Sequence, residues 1–229
     1  VRDGIAVAEW ARSCLDRRKV ALLAFSGGTI IGLAIARRRP DLISAYVGSG
    51  QIVDWARQDE LSYALLLEQA RRTGDAAASA ELAAIGPPPY PDTATDAVKS
   101  QYAGAMTAAE RAALAALDPA ELAALQALPL EEIRAQAMAA YDALRAEIVT
   151  FDARKLGLEF EVPMFFLQGE LDVFTVTSEV QAYAESIVAP TKAFLPVKGA
   201  GHSVHLMRDE LLRLLDEHVR PSIIAAESG

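Results

Sequence analysis

The spacing of apolar residues changes several times along the chain, and each change predicts an element. Residues 3–16 place Ile5, Val7, Ala8, Ala11, Cys14 and Leu15 toward one side of a helix. Residues 19–25 (KVALLAF) are short and almost continuously apolar, which predicts a strand buried on both faces, as in a parallel sheet. Ser26-Gly27-Gly28 reads as a sharp turn. Residues 29–39 follow as a helix that Pro40 stops, and residues 43–47 (ISAYV) as a second strand closed by Gly48-Ser49-Gly50.

Residues 51–154 have another texture. They are rich in Ala and Leu, with strong helix propensity and almost no strand signal. Thr107 with Glu110 makes a capping box, and Asp118 caps a helix that has Pro119 first and Glu121 third. Residues 86–91 (GPPPYP) form a loop. The Ala-Ala-Leu strings keep no fixed period of roughly 20–50 residues, so an all-helical insertion is predicted and not a repeat array.

Strand texture returns at residues 162–167 (VPMFFL), ended by Gln168-Gly169-Glu170-Leu171-Asp172. Residues 177–187 read as a helix, 191–197 as a last strand, 198–201 as a loop and 204–219 as a final helix. Alternation of this kind specifies an α/β fold, a parallel sheet with flanking helices. Its core is expected from residues 1–50 and 155–229, with residues 51–154 inserted between them. Ligand sites of such sheets lie at the carboxyl ends of the strands. Ser26, Asp172 and His202 each fall just after such an end.

Composition narrows the partners. A chain of 229 residues that is 52% hydrophobic can build a real core. Its net charge of −9 repels phosphate backbones and anionic lipid, so neither nucleic acid nor a membrane surface is an expected partner. No apolar run approaches the roughly 20 residues of a membrane span, and no signal peptide is visible. The single cysteine, Cys14, excludes an intrachain disulfide, which fits a reducing, cytoplasmic compartment. Its place on the first helix predicts a small buried hydrophobe.

The strand-end loops carry the candidate chemistry. A serine hydroxyl is a weak nucleophile until a base takes its proton, and it must stand clear of the sheet to meet a carbonyl. A strand–Ser–helix turn does this if the residues two before and two after the serine are small. Here they are Ala24 and Gly28, so the turn reads A-F-S-G-G against the usual G-x-S-x-G. The Gly27 amide at the helix start is placed to stabilise an oxyanion. Asp172 follows a buried strand, where a carboxylate can accept from a histidine Nδ1–H; Glu170 competes for that role. His202 follows Gly199-Ala200-Gly201 and completes the chain order Ser, Asp, His. His202 and His205 have no Cys or carboxylate cluster at ligand spacing beside them, so neither a metal nor another cofactor is expected.

The Ser-Gly-Gly turn admits a second reading, since strand–Gly-Gly–helix turns also cradle phosphates. The S-G-G-x-D-S loop of ATP pyrophosphatases expects Asp and Ser where this chain has Ile30 and Ile31. A G-x-G-x-x-G dinucleotide loop is absent.

The stretches LLAFSGGTIIGLAIARRRPDLISAYVGSGQIVD, VPMFFLQGELD and KGAGHSVHL resemble the α/β-hydrolase superfamily, and within it the proline iminopeptidase group of serine peptidases. The helical insertion then matches the cap of that group, in which acidic residues bind the free amine of an N-terminal proline. Glu60, Glu68, Asp75, Glu110 and Glu132 are the candidates here, with Trp55 and Tyr90 as candidate pocket residues. The expected substrate is a small ester or short peptide. The resemblance also implies strands before the nucleophile strand and an H-G-G-P-G-type oxyanion loop, which do not precede Lys19. It therefore implies an open sheet edge that takes an upstream segment or a second copy, and a chain that is inactive or a poor catalyst by itself. A catalytically incompetent hydrolase fragment and an ATP-binding enzyme remain the alternatives.

Overall fold

A computed structural model of the chain describes residues 1–228. It begins with α1 (Arg2–Cys14), β1 (Val20–Phe25), α2 (Gly28–Arg38) and β2 (Ile43–Ser49). Six helices follow: α3 (Trp55–Thr73), α4 (Ala76–Ile85), α5 (Thr93–Ala103), α6 (Ala108–Ala115), α7 (Pro119–Gln126) and α8 (Leu130–Ile148). The chain then returns through a 3-10 turn (Ala153–Leu156) to β3 (Met164–Gly169), α9 (Thr177–Ser186), β4 (Lys192–Val197), α10 (Arg208–Leu214) and α11 (Arg220–Ser228).

The strands form one parallel sheet in the order β1-β2-β3-β4. Phe25, Ser49, Leu167 and Leu195 lie in register across it, which brings the carboxyl ends of all four strands to one line. Side chains alternate between two apolar layers. Tyr46 and Phe166 pack toward Leu33 and Ile35 of α2 and Val180 and Tyr183 of α9. Val47, Phe165 and Leu167 pack toward Leu214 of α10 and Val219. Burial of a side chain such as Phe165 or Phe166 contributes roughly 1.5–3 kcal/mol each.

Burial on both faces holds for β2 and β3, whose residues are all buried. It fails for β1, where Leu23 is 53% exposed. Among the described residues β1 pairs only with β2, so it is an edge strand, and a shallow apolar groove lined by Ala21, Leu23, Leu215 and Ile223 runs beside it. Cys14 is likewise exposed and not buried. Helix α1 meets the core along a narrow strip of Gly4, Ile5 and Ala8, beside the edge strand. The helix expected at residues 204–219 is divided into a 3-10 turn (Val204–Leu206), α10 and a π turn (Leu215–Val219), and α11 continues beyond it. Pro221 explains the π turn: its ring clashes with the carbonyl four residues back and removes one helical donor.

Helices α3–α8 are inserted between β2 and β3, and the two chain crossings at their base are zipped together. Asp54 bridges Asp152, Trp55 N–H donates to the Phe151 carbonyl at 3.0 Å, and Ala153 N–H donates to the Val53 carbonyl. Both capping boxes form, at Thr107/Glu110 and at Asp118/Glu121. The block is also braced by a buried ion pair between Lys99 of α5 and Asp59 of α3, with an Asp96 oxygen 3.7 Å from the same ammonium. Burial lowers the Lys99 pKa to about 8. Lys99→Met leaves Asp59 buried and uncompensated, so urea unfolding should report a loss of about 3–5 kcal/mol. Adding Asp59→Asn should restore part of it; a single variant as stable as the parent refutes this.

Candidate active site

Ser26 stands between the last residue of β1 and the first turn of α2, with φ of +49°. A non-glycine residue in that region is strained by about 1–3 kcal/mol and persists only where its surroundings hold it. Ser26 N–H donates to the Ser49 carbonyl at 2.9 Å. The Ser26 carbonyl accepts from the Thr29 amide at 2.9 Å and from Thr29 Oγ1 at 2.6 Å. Thr29 is fully buried and its hydroxyl also accepts from Ile52 N–H at 3.0 Å, which ties the turn to the loop after β2. The expected crowding at Gly28 is not found, since a Cβ there meets nothing within 4 Å. The close approach lies one helical turn on, where a Cβ on Gly32 would stand 2.8 Å from the Ala24 Cβ. Ala24 is thus small because α2 crosses β1 there.

Asp172 lies in the loop after β3 and is only 3% exposed. Its Oδ1 accepts from the amides of Phe174 at 2.8 Å and Thr175 at 2.9 Å. Its Oδ2 accepts from Thr175 Oγ1 at 2.7 Å and Gln168 Nε2 at 2.8 Å, and lies 3.0 Å from His202 Nδ1. Burial pushes the carboxyl pKa up. The bond to His202, the imidazole's charge and the Thr175 donors together outweigh it, and the pKa is lowered. Glu170 points elsewhere and accepts from Gly199 N–H at 3.1 Å on the exposed side.

His202 Nε2 lies 3.0 Å from Ser26 Oγ. The imidazole is stacked on Phe174 at 4.7 Å and flanked by Phe25 at 5.1 Å. Gly50 closes the slot at φ +56°, where a Cβ would stand 2.8 Å from His202 Cε1. The structure therefore joins Ser26, His202 and Asp172, which are up to 176 residues apart in the chain, into one hydrogen-bonded row. Gly27 is the first residue beyond Ser26 and opens α2, with its amide at the positive end of the helix dipole. Among the described residues no group of three or more His, Cys, Asp or Glu stands together as a metal-ligand set. No helix among them is long and apolar enough to cross a membrane.

Ser26 and Gly27 open on a cavity of about 720 Å³ between the sheet and the helical block, with Ile30, Trp55, Tyr141 and Phe174 in its walls. Among the described residues its one carboxylate is Asp96, on α5. Asp96 is 6% exposed; its Oδ2 accepts from the Tyr141 hydroxyl at 2.8 Å, while its buried Oδ1 accepts no hydrogen bond and stands 3.7 Å from the Lys99 ammonium. Burial raises its pKa, against the opposing pull of the Tyr141 bond and the Arg145 charge. Trp55 lines the cavity and packs on Tyr141 at 5.7 Å; Tyr90 is buried beside an adjoining cavity of about 340 Å³. Of the acids singled out from the sequence, Glu68, Asp75 and Glu132 lie at the surface, Glu60 reaches only the adjoining cavity, and Glu110 is buried elsewhere. Asp96, Thr29 and Gln168 carry no motif; their roles arise from packing alone.

The same architecture occurs in solved structures. A proline iminopeptidase from Mycobacterium smegmatis superposes with a TM-score of 0.54 at 15% identity, over 94% of this chain and 70% of that one. An alpha/beta fold family hydrolase from Bacillus anthracis str. Sterne superposes with a TM-score of 0.55 at 14% identity, over 94% of this chain and 73% of that one. This chain has the α/β-hydrolase fold. No family model matches the sequence. A probable aminopeptidase, YbaC of Bacillus subtilis (strain 168), is 23% identical over 226 residues, covering 96% of this chain and 71% of that protein. The α/β-hydrolase fold places the Ser26, Asp172 and His202 loops together at the carboxyl edge of the sheet, where the cavity opens.

Proposed function

We propose that this α/β-hydrolase-fold chain is a serine hydrolase that cleaves an ester or amide bond through an acyl-enzyme, with an N-terminal residue bearing a free amine as its preferred acyl group. The observation that carries the reading is the unbroken row from Ser26 Oγ through His202 to buried Asp172, with 3.0 Å at each step, opening on a cavity. Ser26 Oγ attacks the substrate carbonyl as His202 Nε2 takes its proton, and Asp172 holds the other ring proton on Nδ1. The carbonyl oxygen becomes an oxyanion beside the Gly27 amide. The tetrahedral adduct collapses as Nε2–H protonates the departing amine or alkoxide. Water then repeats the sequence on the acyl-Ser26 ester and regenerates the hydroxyl.

The preference for an amine rests on Asp96. Among the described residues it is the one carboxylate facing the cavity; its Oδ1 accepts no hydrogen bond, with the Lys99 ammonium 3.7 Å away, and the remaining walls are mainly apolar, with Thr93, Ser100 and Gln101 among them. A substrate ammonium supplies the missing donor with charge assistance, worth about 1.5–3 kcal/mol. A prolyl arylamide with a free amine should therefore exceed its N-acetylated analogue in kcat/KM by on the order of 10- to 100-fold, and Asp96→Asn should collapse that ratio. A ratio unchanged in the variant rejects the amine reading and leaves a simple esterase.

A further inference from the structure

We infer that Glu110, carried by the helical block and not by the sheet, is a positioning residue for His202, so that seating of α6 on the loop after β4 sets the imidazole against Ser26. The inference rests on the reading of His202 as the general base. Glu110 is completely buried. Its carboxylate takes two backbone donors: Oε2 accepts from Thr107 N–H at 2.7 Å, and Oε1 accepts from Gly201 N–H at 2.9 Å. The first bond belongs to the capping box of α6. The second leaves the block and holds the residue immediately before His202.

The other capping box of the block is not buried. Glu121 of α7 makes the equivalent bond to Asp118 N–H at 3.1 Å and pairs its other oxygen with the Arg208 guanidinium, yet its side chain stays 34% exposed. Burying a carboxylate is unfavourable unless its oxygens are matched, and the Gly201 amide supplies the match for Glu110. The loop has no slack on either side. A Cβ on Gly169 at the end of β3 would stand 1.9 Å from the Gly201 carbonyl oxygen, and a Cβ on Gly201 would stand 3.0 Å from Thr107 Cγ2. The Leu171 amide also donates to the Ala200 carbonyl at 2.8 Å. Residues 199–201 are thus wedged between the sheet edge and the start of α6, and His202 leaves that wedge toward Ser26. None of the α6 residues lines the main cavity, so Glu110 acts on the base and not on ligand binding.

The test is the rate of inactivation by a fluorophosphonate, resolved into its maximal rate and its half-saturating concentration, on the whole chain. His202→Ala should abolish labelling. Glu110→Gln keeps the shape but has one acceptor for two donors, so one N–H faces an amide N–H₂. It should lower the maximal rate on the order of 10- to 100-fold with half-saturation unchanged, since displacement of a reacting group by about 1 Å costs that much. Thr107→Val removes the hydroxyl cap on the Glu110 amide but keeps both carboxylate bonds and a methyl against Gly201. It should unfold at lower urea and still label within roughly twofold of the parent rate. A Glu110→Gln rate equal to the parent, with His202→Ala inert, overturns the positioning role, as does a Thr107→Val rate that falls equally far. Labelling that survives His202→Ala overturns instead the reading of the base.

Discussion

Treatment of the folded chain with a fluorophosphonate should add a single adduct mass, and Ser26→Ala and His202→Ala should each remove it. Only a serine whose proton can be taken reacts readily with such a probe, and Ser26 Oγ is 3.0 Å from the nitrogen that would take it. Members of such a row act as a unit, so loss of either should lower reactivity by on the order of 10⁴- to 10⁶-fold. Neither substitution threatens the fold. Ser26 keeps its backbone bonds to Ser49 and Thr29 when the hydroxyl is removed. Truncation of His202 leaves Phe25 and Phe174 in place, with the Gly201 amide still on Glu110. An adduct that persists in Ser26→Ala would place the reactive group elsewhere. A folded parent chain that takes no adduct would favour the incompetent-fragment alternative.

Asp172→Asn should lower the same reaction by about 10⁴-fold. The imidazole needs its proton on Nδ1 so that Nε2 presents a lone pair to Ser26. A carboxamide can turn its N–H₂ toward Nδ1 while its oxygen serves Phe174 N–H and Thr175 N–H. The ring then carries its proton on Nε2 and cannot accept from the serine. The same substitution should alter acid unfolding. The folded pKa of Asp172 is depressed below its ordinary value. Its contribution to stability is therefore complete above about pH 4 and is lost as pH falls through the lower folded value. In Asp172→Asn that acid limb should be missing, and urea midpoints taken between pH 5 and pH 2.5 should fall less steeply than in the parent. An equally steep fall would mean that other carboxylates set the acid limit; an unchanged labelling rate would remove Asp172 from the mechanism.

Local pattern by itself determined most of the α/β plan of this chain. Uninterrupted apolar runs predict buried parallel strands, and β2 and β3 meet that expectation on both faces. Ser26, Asp172 and His202 were legible because each sits in a turn at the end of such a run, a relation written within a few residues. Both capping boxes were legible for the same reason, since a cap is set by residues three apart. Asp172 was preferred over Glu170 from the sequence, but the contact that separates them depends on which carboxylate faces a loop 30 residues away. Asp96 was not distinguishable among the acids of the helical block. Its face of α5 becomes the cavity wall only when Tyr141 of α8 closes on it from 45 residues away. The exposure of Leu23 and Cys14 follows from strand order, which places β1 at the sheet edge among the described residues. The second partner of Glu110 lies 91 residues away, so the capping box named the residue while only the packing of α6 on the His202 loop decided what its other oxygen holds. Spacing within one element is a property of the chain; which elements meet, and which buried polar atoms are thereby matched or left open, is settled by tertiary packing.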